Sequence, residues 1–154
     1  MKQLWTLILA ASMTTGMLLA AEGGARWVTN MAEAQKTATA EKKDLLVNFT
    51  GSDWCVWCIR LKKEVFTQPE FAAAAKDFVW VEIDFPRNGS QSAEEKKLNQ
   101  ALAAKYGIEG YPTVLLMNAN GEVYAKTGYK PGGAAKYVQQ LLELKKNKTE
   151  TATK

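Results

Sequence analysis

The sequence predicts an α/β fold: one central mixed β-sheet, made of parallel strands plus a C-terminal antiparallel hairpin, flanked by helices. Three observations predict it. The run Leu45-Leu46-Val47 up to Phe49 is nearly all apolar, as a strand covered on both faces should be. The run Val79 to Asp84 alternates, with Val79, Val81 and Ile83 on one side and Trp80, Glu82 and Asp84 on the other. Helical segments separate these strands, which makes them a parallel pair, and Asn118-Ala119-Asn120-Gly121 sits between two further strands as a hairpin turn does.

The chain has 154 residues, enough for one domain with a proper core and too few for two. Its 47% hydrophobic and 23% charged residues place the body of the protein in the ordinary globular range. The formal charge of +4 is modest, and no patch of interleaved basic and aromatic residues marks a nucleic-acid partner. The absence of histidine is more informative, since it removes Ser-His and Cys-His nucleophilic pairs and His-ligated zinc together. Two cysteines cannot close a four-ligand structural zinc site within one chain. No metal and no cofactor is expected.

Lys2 and an uncharged run from Leu4 to Ala21 have the parts of a secretory signal peptide, assigned here to residues 1–21 with cleavage after Ala20 or Ala21. Leu18 and Leu19 fall where a small residue is preferred at minus three, so an uncleaved membrane anchor is the alternative. The domain is assigned to residues 22–146. Trp27, Met31, Ala34 and Ala38 recur at helical spacing, with Asn30 and Glu33 as a start signal. After the first strand, Leu61, Val65 and Phe66 continue a helical period. Thr67-Gln68-Pro69-Glu70 then has a capping pattern, which predicts a short helix over Phe71 to Phe78. Residues 85–90 are loop by composition, and Ser92 with Glu95 caps a helix whose Leu98, Leu102 and Tyr106 share a face and which Gly107 ends. Strands at 114–117 and 122–126 form the hairpin, and a last helix sets Tyr137, Val138, Leu141 and Leu142 on one face. Residues 147–154 read as a flexible basic tail.

Both cysteines lie in Phe49 to Cys58, where the apolar strand hands over to a helix. A thiol in a helix's first turn is stabilised as thiolate by unpaired backbone N–H groups and the positive end of the macrodipole. Cys55 is therefore the expected nucleophile, and Cys58, one turn deeper and less open, its resolving partner.

Two separated motifs carry a family resemblance: Trp54-Cys55-Val56-Trp57-Cys58 after a buried strand, and Tyr106-Gly107-Ile108-Glu109-Gly110-Tyr111-Pro112-Thr113 before the hairpin. From about Trp27 to Leu144 the chain resembles the thioredoxin-like family, and the wording of its Cys segment and of Asp84-Phe85-Pro86 is closer to exported, periplasmic or secreted thiol-disulfide oxidoreductases than to cytoplasmic thioredoxin. The resemblance implies a thioredoxin fold, with Pro112 cis and facing the Cys pair. It also implies that Tyr111 presents backbone groups to an extended substrate, a form of strand addition, with Trp54 and Tyr111 bordering the groove. Alternatively, Trp54 and Trp57 merely cover the sheet.

Three departures stand out. The interior of the Cys pair is Val-Trp where thioredoxin has Gly-Pro, which leaves the direction of electron flow open. With one inserted residue allowed for, Asn48 occupies the place of thioredoxin's buried aspartate, and an amide cannot take the proton of Cys58. Slow release of substrate is then expected unless Asp53, Glu82 or water supplies the acceptor. The segment 85–95 is longer than its counterpart. Asn48, Asp53 and Trp57 are accordingly modulators of the site.

The leading reading is an exported, monomeric thiol-disulfide oxidoreductase acting on protein thiols or disulfides with a redox partner protein, and touching a membrane only if the N-terminal segment is uncleaved. The alternative is a non-enzymatic peptide-binding module with a fixed Cys55–Cys58 disulfide. A purely structural disulfide is weak, because bridging residues three apart closes a very short loop. N-terminal sequencing of the mature protein should begin near Ala21 or Glu22; an intact Met1 in the membrane fraction would favour the anchor.

Overall fold

The computed structural model describes residues 26–151, so the expected signal segment lies outside the described residues. Helix α1 spans Met31–Glu41, and its start is set by Asn30, whose side chain accepts the Glu33 N–H at 3.0 Å. Strand β1, Asp44–Thr50, follows, and then helix α2, Val56–Leu61. A π-helical turn over Lys62–Phe66 continues α2 without a break, with the Thr67 N–H reaching the Lys62 carbonyl at 3.0 Å. Helix α3 is Pro69–Ala74, β2 is Phe78–Asp84, and α4 is Ala93–Lys105. Strands β3, Thr113–Met117, and β4, Val123–Thr127, form the hairpin, and α5 runs over Gly133–Thr151.

The four strands form one sheet in the order β2-β1-β3-β4. As expected, β1 and β2 are parallel, while β3 is antiparallel to both β1 and β4. Val28 adds a parallel bridge outside β2, giving its N–H to the Trp80 carbonyl and its carbonyl to the Glu82 N–H. The period of two divides β1, β2 and β3 between two cores. Leu45, Val47, Phe49, Val79, Val81 and Ile83 face α1 and α4; Leu46, Trp80, Val114 and Leu116 face α2, α3 and α5. On this second face Trp27, Phe66, Phe71 and Trp80 pack with ring centroids 4.6 to 5.5 Å apart, and the Trp80 indole N–H is satisfied by the Ala75 carbonyl at 2.8 Å.

The structure corrects several sequence readings. Thr67 does not cap α3: its hydroxyl bonds back to the Lys63 carbonyl in the preceding turn, and Gln68 holds the N-cap position without a side-chain bond. Phe78 begins β2 rather than ending the helix, because a 3₁₀ turn over Ala75–Asp77 closes α3 first. Leu98 is exposed although Leu102 and Tyr106 pack on the core, since α4 meets the core with its C-terminal half. Residues 147–151, read as tail, instead continue α5. Two of its lysines have partners at the start of the strands: Lys148 pairs with Asp44 at 2.7 Å, and Lys145 lies 3.8 Å from Asp77 and over the Phe78 ring. Composition conceals such a helix, because long lysine stems cover apolar surface while their charges meet acidic groups.

The last helix also divides its leucines. Leu141 is 1% exposed and Leu142 is 43% exposed. Leu141→Ala should therefore lower stability by about 2–5 kcal/mol, and Leu142→Ala should stay within about 0.5 kcal/mol of the parent, as read from urea midpoints.

Candidate active site

β1 is hydrogen-bonded on both edges and delivers the chain to the end of the sheet at Thr50 and Gly51. The turn that follows is fixed from β2: the Asp84 carboxylate accepts from the Ser52 N–H at 2.9 Å and from its hydroxyl at 2.5 Å. Gly51 is required there, since a Cβ would stand 2.4 Å from the Trp54 ring, which lies on this backbone. The Gly51 carbonyl accepts the Cys55 N–H at 2.9 Å, so the turn closes at the point where α2 begins.

Cys55 is the N-cap of α2, and its Sγ accepts the Cys58 N–H at 3.2 Å. Cys58 lies one turn in and accepts the Gly51 N–H at 3.5 Å. The two form a disulfide with Cα atoms 5.2 Å apart. Their expected difference in exposure is slight in this oxidised state, 6% for Cys55 against 4% for Cys58.

The Tyr111–Pro112 peptide bond is cis, as the resemblance implies, and precedes Thr113, which is paired with Phe49 two residues before Gly51. Trp54 and Tyr111 meet edge to face at 5.8 Å, and Tyr111 also packs on Phe85 at 5.2 Å. Trp57 is 51% exposed and so does not cover the sheet. It stacks on Tyr129 at 5.1 Å, with the Arg60 guanidinium 5.2 Å from both rings. Glu64 holds this group from below, accepting Arg60 Nε at 2.9 Å and the Tyr129 hydroxyl at 2.7 Å. Those two bonds hold its carboxyl below the usual range. With Tyr111, Pro112 and Pro131, the stack lines a cleft of about 510 Å³ beside the Cys pair. Sequence reasoning missed Arg60, Glu64 and Tyr129; the only signal was the i, i+4 spacing of Arg60 and Glu64.

The loop after β2 is latched to the Cys turn. Asp53 accepts the backbone N–H groups of Arg87 and Asn88 at 2.7 to 3.1 Å, the Trp54 indole N–H donates to the Phe85 carbonyl at 2.8 Å, and Arg87 lies 4.2 Å over the Trp54 ring. Behind the disulfide, a second cleft of about 310 Å³ is lined by Cys58, Asn48, Thr50, Lys62, Lys63 and Glu82 among others. Asn48 thus reaches the surroundings of Cys58 as expected, and its buried Oδ1 has no hydrogen-bond partner among the described residues. Burial raises the Glu82 carboxyl above the ordinary value of 4.5, with Lys62 opposing and Asp84 adding to the shift.

A cis-proline loop beside a Cys-x-x-Cys disulfide, at the junction of a central strand and a helix, defines a thiol-disulfide oxidoreductase of thioredoxin type. Residues 31–144 match the model of a thioredoxin-like domain, and the chain belongs to that family. It is 37% identical over 111 residues to the disulfide bond reductase DsbH of Chlamydia pneumoniae, a match covering 71% of this chain and 67% of DsbH. It is 34% identical to the thioredoxin-related protein DsbJ of the same organism, over 77% of this chain but only 35% of DsbJ. Among solved structures, a DsbH oxidoreductase superposes with a TM-score of 0.75 at 32% identity, covering 88% of this chain and 94% of that one.

The backbone bonds from Arg87 and Asn88 hold the Asp53 carboxyl below its usual 3.8. A depressed folded-state value means that the latch is complete above about pH 4 and is lost as pH falls through the lowered one. Asp53→Ala should reduce hydrogen-exchange protection at the Arg87 and Asn88 amides at neutral pH. In the parent, the same loss should appear only in acid.

Proposed function

We propose that the protein is an exported enzyme that exchanges disulfides with protein substrates, with Cys55 attacking and Cys58 resolving. The observation that carries this reading is the position of Cys55 at the N-cap of α2, where the helix end favours a thiolate once the disulfide is reduced. The thiolate attacks one sulfur of a substrate disulfide, and Cys58 then attacks Cys55 and releases the second substrate sulfur as a thiol. Tyr111 and the cis Pro112 border the groove with Trp54, where an extended substrate segment pairs with the Tyr111 backbone.

The name of the DsbH relative supports the reductase direction. Export is supported by the leader-like composition of residues 1–21 and by a Cys pair whose disulfide persists in an oxidising compartment. Among the described residues, no helix is long and apolar enough to cross a membrane. A separate redox partner protein is needed to return the Cys pair to its starting state, and the protein acts as a monomer.

Equilibration against glutathione or dithiothreitol should place the pair near thioredoxin's potential of about −270 mV; a value near −120 mV would reverse the direction. A pair that stays oxidised below about −300 mV would instead make this a binding module with a fixed disulfide. Cys58→Ser should accumulate mixed disulfides with substrate proteins, and Cys55→Ser should not. Pro112→Ala should lower the exchange rate while leaving the fold intact by circular dichroism.

A further inference from the structure

Resolution of a mixed disulfide requires Cys58 to lose a proton, and a thiol this deeply buried resists becoming an anion. Something must take that proton. Asn48 offers only an amide, and Asp53, a carboxylate close in sequence, is exposed and engaged by the Arg87 and Asn88 N–H groups. Glu82 is placed differently. It is the register partner of Asn48 on the neighbouring parallel strand, on the same face of the sheet, and its side chain is 20% exposed.

Glu82, Asn48 and Cys58 line one cleft of about 310 Å³, with Thr50, Lys62 and Lys63 among its other walls. The volume admits several water molecules, and a water needs polar partners, of which the unpartnered Asn48 Oδ1 is one acceptor. We infer that Glu82 is the proton acceptor for Cys58, reached through water in this cleft; the inference rests on the oxidoreductase reading above.

The step balances without a further reactant. The Cys58 S–H bond breaks and its proton passes to a Glu82 carboxylate oxygen. Cys58 Sγ bonds to Cys55 Sγ, the bond from Cys55 to the substrate breaks, and its electron pair leaves on the substrate sulfur, which takes a proton from solvent. The Cys pair is oxidised by two electrons and the substrate disulfide is reduced. When the pair is next reduced, Glu82 returns its proton.

Among the described residues, Lys62 and Asp84 act on Glu82, and Lys63 lines the same cleft. Lys62, 3.9 Å away, and Lys63 stand on the π-helical turn, and Asp84 lies two residues along β2. Burial lifts the Glu82 carboxyl toward the working pH, which suits a group that must both take and return a proton.

The reduced mature protein, mixed with an equimolar amount of 5,5′-dithiobis(2-nitrobenzoate), should release two nitrothiobenzoate ions. The first reports attack by Cys55, and the second, independent of concentration, reports resolution by Cys58. Glu82→Gln should leave the first phase within about twofold and slow the second by roughly tenfold or more at pH 7, the size expected when a positioned base is removed. It should also abolish the carboxyl inflection in the second phase's pH profile, leaving a rise of about tenfold per pH unit until Cys58 itself titrates.

Lys62→Met, which keeps the carboxylate, should move that inflection to higher pH, and it keeps the test alive if Glu82→Gln does not fold. A second phase with unchanged rate and pH profile in Glu82→Gln, or an unmoved inflection in Lys62→Met, would overturn the assignment. A parent protein that shows the first phase without the second would overturn the oxidoreductase reading itself, and this inference with it.

Discussion

β1 is hydrogen-bonded on both edges and covered on both faces, and the rest of the molecule follows from that burial. A strand so placed must present apolar side chains to both cores, and Leu45 to Phe49 does so at every position except Asn48. The exception falls near the strand's end, on the face toward α2, where the register sets Asn48 beside Glu82 and Thr50 beside Asp84. The four polar groups are thus gathered at one end of a dry sheet. Asp84 organises the turn that presents Cys55, and Asn48 and Glu82 border the cleft behind Cys58. Polar groups in such a setting cost stability unless they are partnered, so their concentration here marks the end of the sheet as the place given over to chemistry.

The parts legible in the sequence were those whose physics is local. Period-two alternation in β2, the Asn30 and Ser92 caps, the Asn118–Gly121 turn and the strand-to-helix setting of the Cys pair all depend on neighbours a few residues away. The cis Tyr111–Pro112 bond was reached through a family resemblance rather than from the residues around it.

Features built from distant partners were not legible. Nothing near Asp53 in the sequence says that it binds the Arg87 and Asn88 amides, and nothing near Tyr129 says that it stacks on Trp57. Helix faces were misjudged at Leu98 and Leu142, which sit on apolar stripes in the sequence yet are exposed in the fold, and where the partners are charges rather than core, as at Lys145 and Lys148. Thr67 shows a further ambiguity: a hydroxyl can serve the helix ahead or the turn behind, and the π-helical turn claims it.

The ion pair between Lys148 and Asp44 ties the far end of α5 to the first residue of β1, while the disulfide follows that strand's last residue. Seven residues of extended chain separate the two ends, roughly 20 Å at the usual rise. The C-terminal end of α5 and the Cys pair therefore occupy opposite poles of the sheet. A tag, a fused domain or a solid support joined there would hold the protein with its reactive pole facing outward, and a long tether would not be needed to keep the groove accessible.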